Sequence, residues 1–229
     1  MRTSRARVVV AGLCLVAVTG CATTVNAAES TTPSRTMIPR PLVERELPGL
    51  LLAPEEVSAL MGTTGMAVVG SETAMEDNSG IVEPRECLAV DAAAEAKVYE
   101  GSDYWAERGV SMNNGDDFTH YAKQTVVLFP YREKAAAFYE ASAHQWPACR
   151  QLTHTQSGYV YDVGQIVNED HILSTTSIMQ EAKAPGWGCG RALALRNNII
   201  VDVNTCSADP ADTAVRIAAK IGENVLAQW

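Results

Sequence analysis

Positive charge is scarce in this chain: 18 lysines and arginines stand against 27 aspartates and glutamates. Three of the arginines, Arg2, Arg5 and Arg7, crowd the N-terminus, and without them the remainder carries 15 basic against 27 acidic residues, near −12. Holding nucleic acid requires a basic stripe that displaces counterions from phosphate, and none is present, so no nucleic-acid partner is expected. Histidine is equally sparse. His120, His144, His154 and His171 sit on separate segments without metal-ligand spacing, and no CxxC accompanies the cysteines; no metal site and no cofactor are expected. Catalytic signatures are missing too: G-x-S-x-G, H-E-x-x-H, a P-loop and a post-strand GxGxxG do not occur. The glycine-rich GWGCG precedes a strand instead of a helix, so it offers phosphate no helix N-terminus. An enzyme is not expected; a hydrolase built from scattered residues is the alternative.

What is present begins with an export signal. The three arginines lead into an apolar run from Val8 to Val18, the layout of a secretory signal and too short to span a bilayer comfortably. The run ends in Val18-Thr19-Gly20-Cys21, which resembles a bacterial lipobox, where the cysteine thiol takes a diacylglyceryl group and becomes the mature N-terminus. Residues 1–20 are therefore expected to be a cleaved lipoprotein signal, with Cys21 lipidated and the protein facing the extracytoplasmic side of the membrane. Several acyl chains anchor stably, whereas one does not. Residues 21–48 are rich in Thr, Ser, Ala and Pro and read as an extended tether. The remaining 49–229 are enough for one domain with a single core.

An exported chain permits disulfides, and four cysteines remain once Cys14 and Cys21 are set aside: Cys87, Cys149, Cys189 and Cys206. The stretch CGRALALRNNIIVDVNTC supplies a geometry. Asparagine tolerates the left-handed backbone of a two-residue hairpin turn, so Asn197-Asn198 pairs Arg196 with Ile199 and, counting outward, Cys189 with Cys206. That outer pair falls in the non-hydrogen-bonded class, where Cα atoms lie about 4.5 Å apart, within reach of a disulfide. Cys87–Cys149 follows by elimination. The hairpin sorts into two faces. One carries small and β-branched residues suited to lying under a helix. The other mixes Leu193, Leu195 and Ile200 with Arg191, Asp202 and Asn204 near the staple.

Elsewhere, PEEVSALMG reads as a short helix stopped by Gly62, and MAVVGSE as a strand. Two further strands are expected around Asn114-Gly115, a strong hairpin signal. REKAAAFYEASAHQWPAC is a helix ended by Pro147, with Ala136, Phe138, Tyr139 and Trp146 toward the core. GYVYDVGQIV and HILSTTSIMQEA are strands. The C-terminal segment is amphipathic, with Val215, Ile217, Ala218, Ile221 and Val225 at helical spacing and Asp209 or Asp212 as cap. In LAVDAAAEAKVYE helix and strand signals compete. The fold class is α+β: a largely antiparallel sheet flanked by helices, with two disulfides.

In order, EVxxLMG, W-x-x-C, C-x-R-A-L-A and V-D-V-x-x-C resemble the PknH-like extracellular domain family of mycobacteria and their relatives. The resemblance runs from about Leu50 to the C-terminus. It rests on Glu56, Val57, Gly62, Trp146 and Cys149, and most specifically on Cys189, Arg191, Ala192, Leu193, Asn198, Val201, Asp202, Val203 and Cys206. It implies a helix-flanked sheet, the two disulfides paired as above, and a cleft for an extracellular ligand. That family occurs as the outer part of a receptor kinase and as free-standing lipoproteins. No kinase domain or spanning helix is recognisable here, so direct phosphorylation is not expected.

The expected function is thus a lipid-anchored, non-catalytic envelope module that senses or binds, taking a small ligand in a cleft or docking an envelope protein. Arg191, Asp202 and Asn204 are the candidate ligand-binding set, because a planar guanidinium matches two oxygens of a carboxylate or phosphate. The competing assignment is an internal Arg191–Asp202 diagonal pair that only satisfies two half-buried charges.

Overall fold

A computed structural model of the chain describes residues 39–228. The signal segment, Cys21 and the first part of the expected tether lie outside the described residues. The rest of that tether is a correction. Leu42, Leu47 and Leu50 are buried, the last two on a 3₁₀ turn over Glu44–Leu50 that contains Pro48. The prolines and polar residues of this stretch suggest a tether, but Leu42 and Leu47, with Leu50 just past the expected boundary, join one core cluster and bury enough apolar surface to dock it. The packed domain therefore begins ahead of the expected boundary at 49.

Next come α1 (Pro54–Met61) and β1 (Ala67–Glu72), with Gly62 closing α1 at φ 67° in the left-handed cap that glycine tolerates. Then follow β2 (Val82–Glu83), α2 (Leu88–Asp91) and α3 (Ala96–Tyr99). The ambiguous alanine-rich stretch thus holds two single helical turns and no strand. Strands β3 (Ala106–Asn113) and β4 (His120–Leu128) form the expected pair. Its turn is longer than Asn114-Gly115 alone, because Asn113 pairs with Tyr121. Asn114 folds that loop with its side chain, accepting hydrogen bonds from the Thr119 and His120 N–H groups at 2.9 and 3.0 Å.

Helix α4 (Arg132–Gln145) buries Ala135 and Tyr139, with Ala136 and Phe138 only half-buried, and Trp146 is buried on the turn that follows. Strands β5 (Gln151–His154), β6 (Tyr159–Val163), β7 (Val167–Glu169), β8 (Ile172–Met179), β9 (Gly188–Arg196) and β10 (Ile199–Ser207) precede α5 (Thr213–Leu226). The strands form one antiparallel sheet in the order β1-β3-β4-β10-β9-β8-β6-β5-β2, with β7 on β8. Two apolar layers lie on its faces. On one, Ala192, Ala194, Ile199, Val201 and Val203 pack under Ile217, Ala218, Ile221 and Val225 of α5, joined by α1 and the N-terminal leucines. On the other, Leu193 and Ile200 meet Tyr139 of α4, Trp146 of the turn after it, Tyr99 of α3 and Leu88 of α2. Being covered on both sides makes β9 and β10 the centre of the core.

The hairpin has the expected register, Arg196 with Ile199 through Cys189 with Cys206. Asn197 takes φ 52°. Asn198 does something the sequence did not announce: it is buried, accepting from Leu42 N–H at 2.8 Å and donating to the carbonyls of Leu42 and Phe129 at 3.1 and 2.8 Å. One side chain thus ties the entering chain to the β9–β10 turn. Asn198→Ala strands buried backbone groups on two segments and should cost about 1–3 kcal/mol, read as a lower urea midpoint with an unchanged slope.

Candidate functional site

Arg191 and Asp202 project from adjacent strands toward the α2–α3 segment, which covers them. Both are only 2% exposed, and their charged groups meet at 2.6 Å. The guanidinium also donates to the carbonyls of Val203 at 2.7 Å and Ala89 at 2.8 Å, and lies 5.2 Å from the centre of the Trp146 ring, a cation–π distance. The other carboxylate oxygen of Asp202 accepts from the Ala94 N–H and the Tyr99 hydroxyl, both at 2.9 Å. Burial, with the carboxylate of Asp202 beside it, pushes the Tyr99 phenol well above its ordinary range, so it donates as a neutral group. These bonds occupy both terminal nitrogens of the guanidinium from within, while its buried Nε has no partner. As a receptor for a ligand the pair is corrected: it is the diagonal ion pair, clamping the α2–α3 segment to the sheet. Asn204 alone of the three lines an open cavity.

That cavity is a cleft of about 370 Å³ beside the clamp. Its floor is the disulfide end of the hairpin: Cys189, Cys206, Asn204 and, from β8, Ser177. The S–S bonds are Cys189–Cys206 and Cys87–Cys149, as the register and elimination indicated. In the first, the Cα atoms lie 4.1 Å apart. Asn204 donates to the Asp91 carbonyl at 3.3 Å, joining floor to wall. Aromatic residues form one rim, where Phe118 stands 6.4 Å from both Trp187 and Tyr121.

The walls are charged. Lys123 is 6% exposed and reaches the exposed Glu76 at 3.5 Å. Glu95 is 1% exposed; it accepts from the Asn78 backbone and side-chain amides at 2.9 and 2.8 Å. Burial nonetheless raises its pKa, the amides only partly offsetting the cost of an ionised carboxylate there. His154 Nε2 lies 2.7 Å from Asp91 Oδ1, with its ring 5.1 Å from that of Tyr161. Burial lifts the Tyr161 phenol to about 12, so it too stays protonated.

The hydrogen bond that the His154 ring donates to the Asp91 carboxylate raises the His154 pKa against the opposing effect of burial. A raised folded-state pKa means the pair stabilises fully below the unfolded value of about 6.5 and loses that contribution as pH climbs through the folded value. His154 should therefore titrate above an exposed histidine by NMR. Asp91→Asn should bring it down and remove the corresponding acid-side stabilisation from the pH dependence of Tm.

Sequence reasoning reached the floor through the hairpin but missed Glu76, Asn78, Asp91, Glu95, Lys123, Ser177 and Trp187. They come from separate segments, and only the sheet brings them together. The Ser177 hydroxyl is one buried polar atom among the described residues with no hydrogen-bond partner, and it lines the cleft.

A family model for the PknH-like extracellular domain matches residues 42–224. This chain belongs to the PknH-like extracellular domain family. The match starts at the first buried leucine, in agreement with the early start of the fold. The serine/threonine-protein kinases PknH of Mycobacterium bovis and Mycobacterium tuberculosis H37Rv are each 34% identical over 196 residues, 84% of this chain, but only 33% and 31% of those kinases. The chain thus spans about a third of the length of the curated relatives it matches. The crystal structure of the extracellular domain of PknH from Mycobacterium tuberculosis superposes with a TM-score of 0.77 at 31% identity, covering 82% of this chain and 99% of that one. Among the described residues no helix is long and apolar enough to cross a membrane.

Proposed function

We propose that this PknH-like domain is a non-catalytic sensor outside the cell membrane, held there by lipid on Cys21, and that it takes a small polar ligand in the cleft. The observation that carries the reading is Ser177: 4% exposed, on the cleft lining, with its hydroxyl unpaired. A buried hydroxyl without a partner costs free energy that an incoming polar group recovers. Asn204, Lys123 and Glu95 add further polar partners, and Trp187 and Phe118 offer faces for the apolar side of such a molecule, the mixture expected of a ligand pocket. The hydrolase alternative would need a nucleophile activated by a base. Asp91–His154 is a possible base pair, yet Ser177 makes no hydrogen bond to it.

Native mass spectrometry of the full chain, extracted in mild detergent from its own envelope, tests the reading. A discrete bound mass should accompany the protein and be lost in Trp187→Ala and Ser177→Val, with circular dichroism unchanged. Ligand-free protein throughout would overturn the cleft and turn attention to a protein partner. On the same sample, a diacylglyceryl mass on the Cys21 peptide, and release of Cys21→Ala into the medium, is the outcome expected of the anchor.

A further inference from the structure

The two disulfides differ in surroundings. Cys87 and Cys149 are 0% and 1% exposed, sealed between α2 and the turn after α4. Cys189 and Cys206 are half-buried, and both line the cleft. A disulfide is opened only by a nucleophile that can reach its sulfur, so access separates the bridges before any difference in their chemistry does. The cleft is wide enough to admit a molecule of several heavy atoms.

We propose that Cys189–Cys206 is a thiol-exchange site, opened by small thiols that enter the cleft while Cys87–Cys149 stays closed. The inference goes beyond ligand sensing and does not require that a ligand bind there. A thiolate attacks one cysteine sulfur, forming a mixed disulfide and expelling the other sulfur as thiolate, which takes a proton from water. A second thiol then attacks the mixed disulfide and releases the oxidised small molecule. Two thiols are consumed, one small-molecule disulfide forms, and Cys189 and Cys206 each end as a thiol. The freed Cys206 thiol has an acceptor in place, since its sulfur is 3.5 Å from Asn204 Oδ1.

Two features define what enters and what survives. Glu76, Asp91 and Glu95 line the cleft against the single amine of Lys123, and His154 is engaged with Asp91. The lining repels anionic thiols and favours cationic aminothiols. The fold does not depend on this bridge to hold its strands, because β10 is laddered to β4 as well as to β9, and β9 to β8. Reduction therefore changes the floor of the cleft, not the sheet.

The test treats the native full chain with 2-aminoethanethiol or with mercaptoacetate, at matched thiolate concentration and with each rate divided by that thiol's rate on the urea-unfolded chain to remove intrinsic nucleophilicity, and quenches with an alkylating reagent before peptide mapping. Alkylation should appear on Cys189 and Cys206 while Cys87 and Cys149 remain bridged and circular dichroism is unchanged. The aminothiol should act at least about tenfold faster than the anionic thiol, the lower end of the rate effect a charged cleft exerts. Opening of both bridges at one rate, or of neither until urea unfolds the chain, would overturn the site. A faster reaction with mercaptoacetate would overturn the preference for cationic thiols. Each result is read whether or not a bound mass is found on the protein.

Discussion

Asp202→Ala is expected to cost the fold about 3–5 kcal/mol, the loss typical when one partner of a buried ion pair is removed. The size follows from what is left behind. Arg191 keeps its charge at 2% exposure with no carboxylate beside it, and the Ala94 N–H and Tyr99 hydroxyl lose their acceptor. Domains hold a margin of about 5–15 kcal/mol, so a large part of the stability goes with one carboxylate. The urea midpoint should fall sharply while the slope stays constant. Replacing both partners, Arg191→Met with Asp202→Leu, should recover part of the loss, because two compatible apolar groups carry no desolvation debt. A single-variant loss below about 1 kcal/mol would mean the pair behaves as solvent-exposed, contrary to its burial.

Removing the other cross-link should be nearly as costly. Cys87 and Cys149 are 62 residues apart in sequence, and opening a loop of that length returns roughly 4 kcal/mol of chain entropy to the unfolded state. The effect should also be local. Helices α2 and α3 are each a single turn and cannot persist on their own hydrogen bonds. They are held by the Arg191–Ala89 and Asp202–Ala94 contacts from below and by this disulfide at one end. In Cys87→Ser with Cys149→Ser, amide exchange should accelerate across residues 88–100 more than in β9 or β10. Uniform acceleration would show the bridge acting on the unfolded chain alone.

The hairpin was legible in the sequence because its information is local: two asparagines set the turn, and every pairing out to Cys189–Cys206 follows by counting. Helix α5 was legible for a similar reason, its apolar residues recurring over four turns. Strands β2 and β5 escaped because two and four residues carry no period. Leu42 and Leu47 were hidden by prolines that suggested a tether, though Pro48 sits inside a 3₁₀ turn. At the site, the hairpin placed Arg191, Asp202 and Asn204 on the correct face but could not give their depth. Depth depends on the α2–α3 segment folding over two of them, and that contact joins residues about a hundred positions apart.

The side chain of Asn198 joins the incoming chain to one end of the β9–β10 hairpin, while the disulfide at its other end floors the cleft. Eight residue steps of extended strand separate those ends, about 25 Å at the usual rise per residue. The domain therefore enters its fold at one pole and presents its opening at the other. The cleft and the Leu42–Asn198 junction are thus opposite ends of the same two strands.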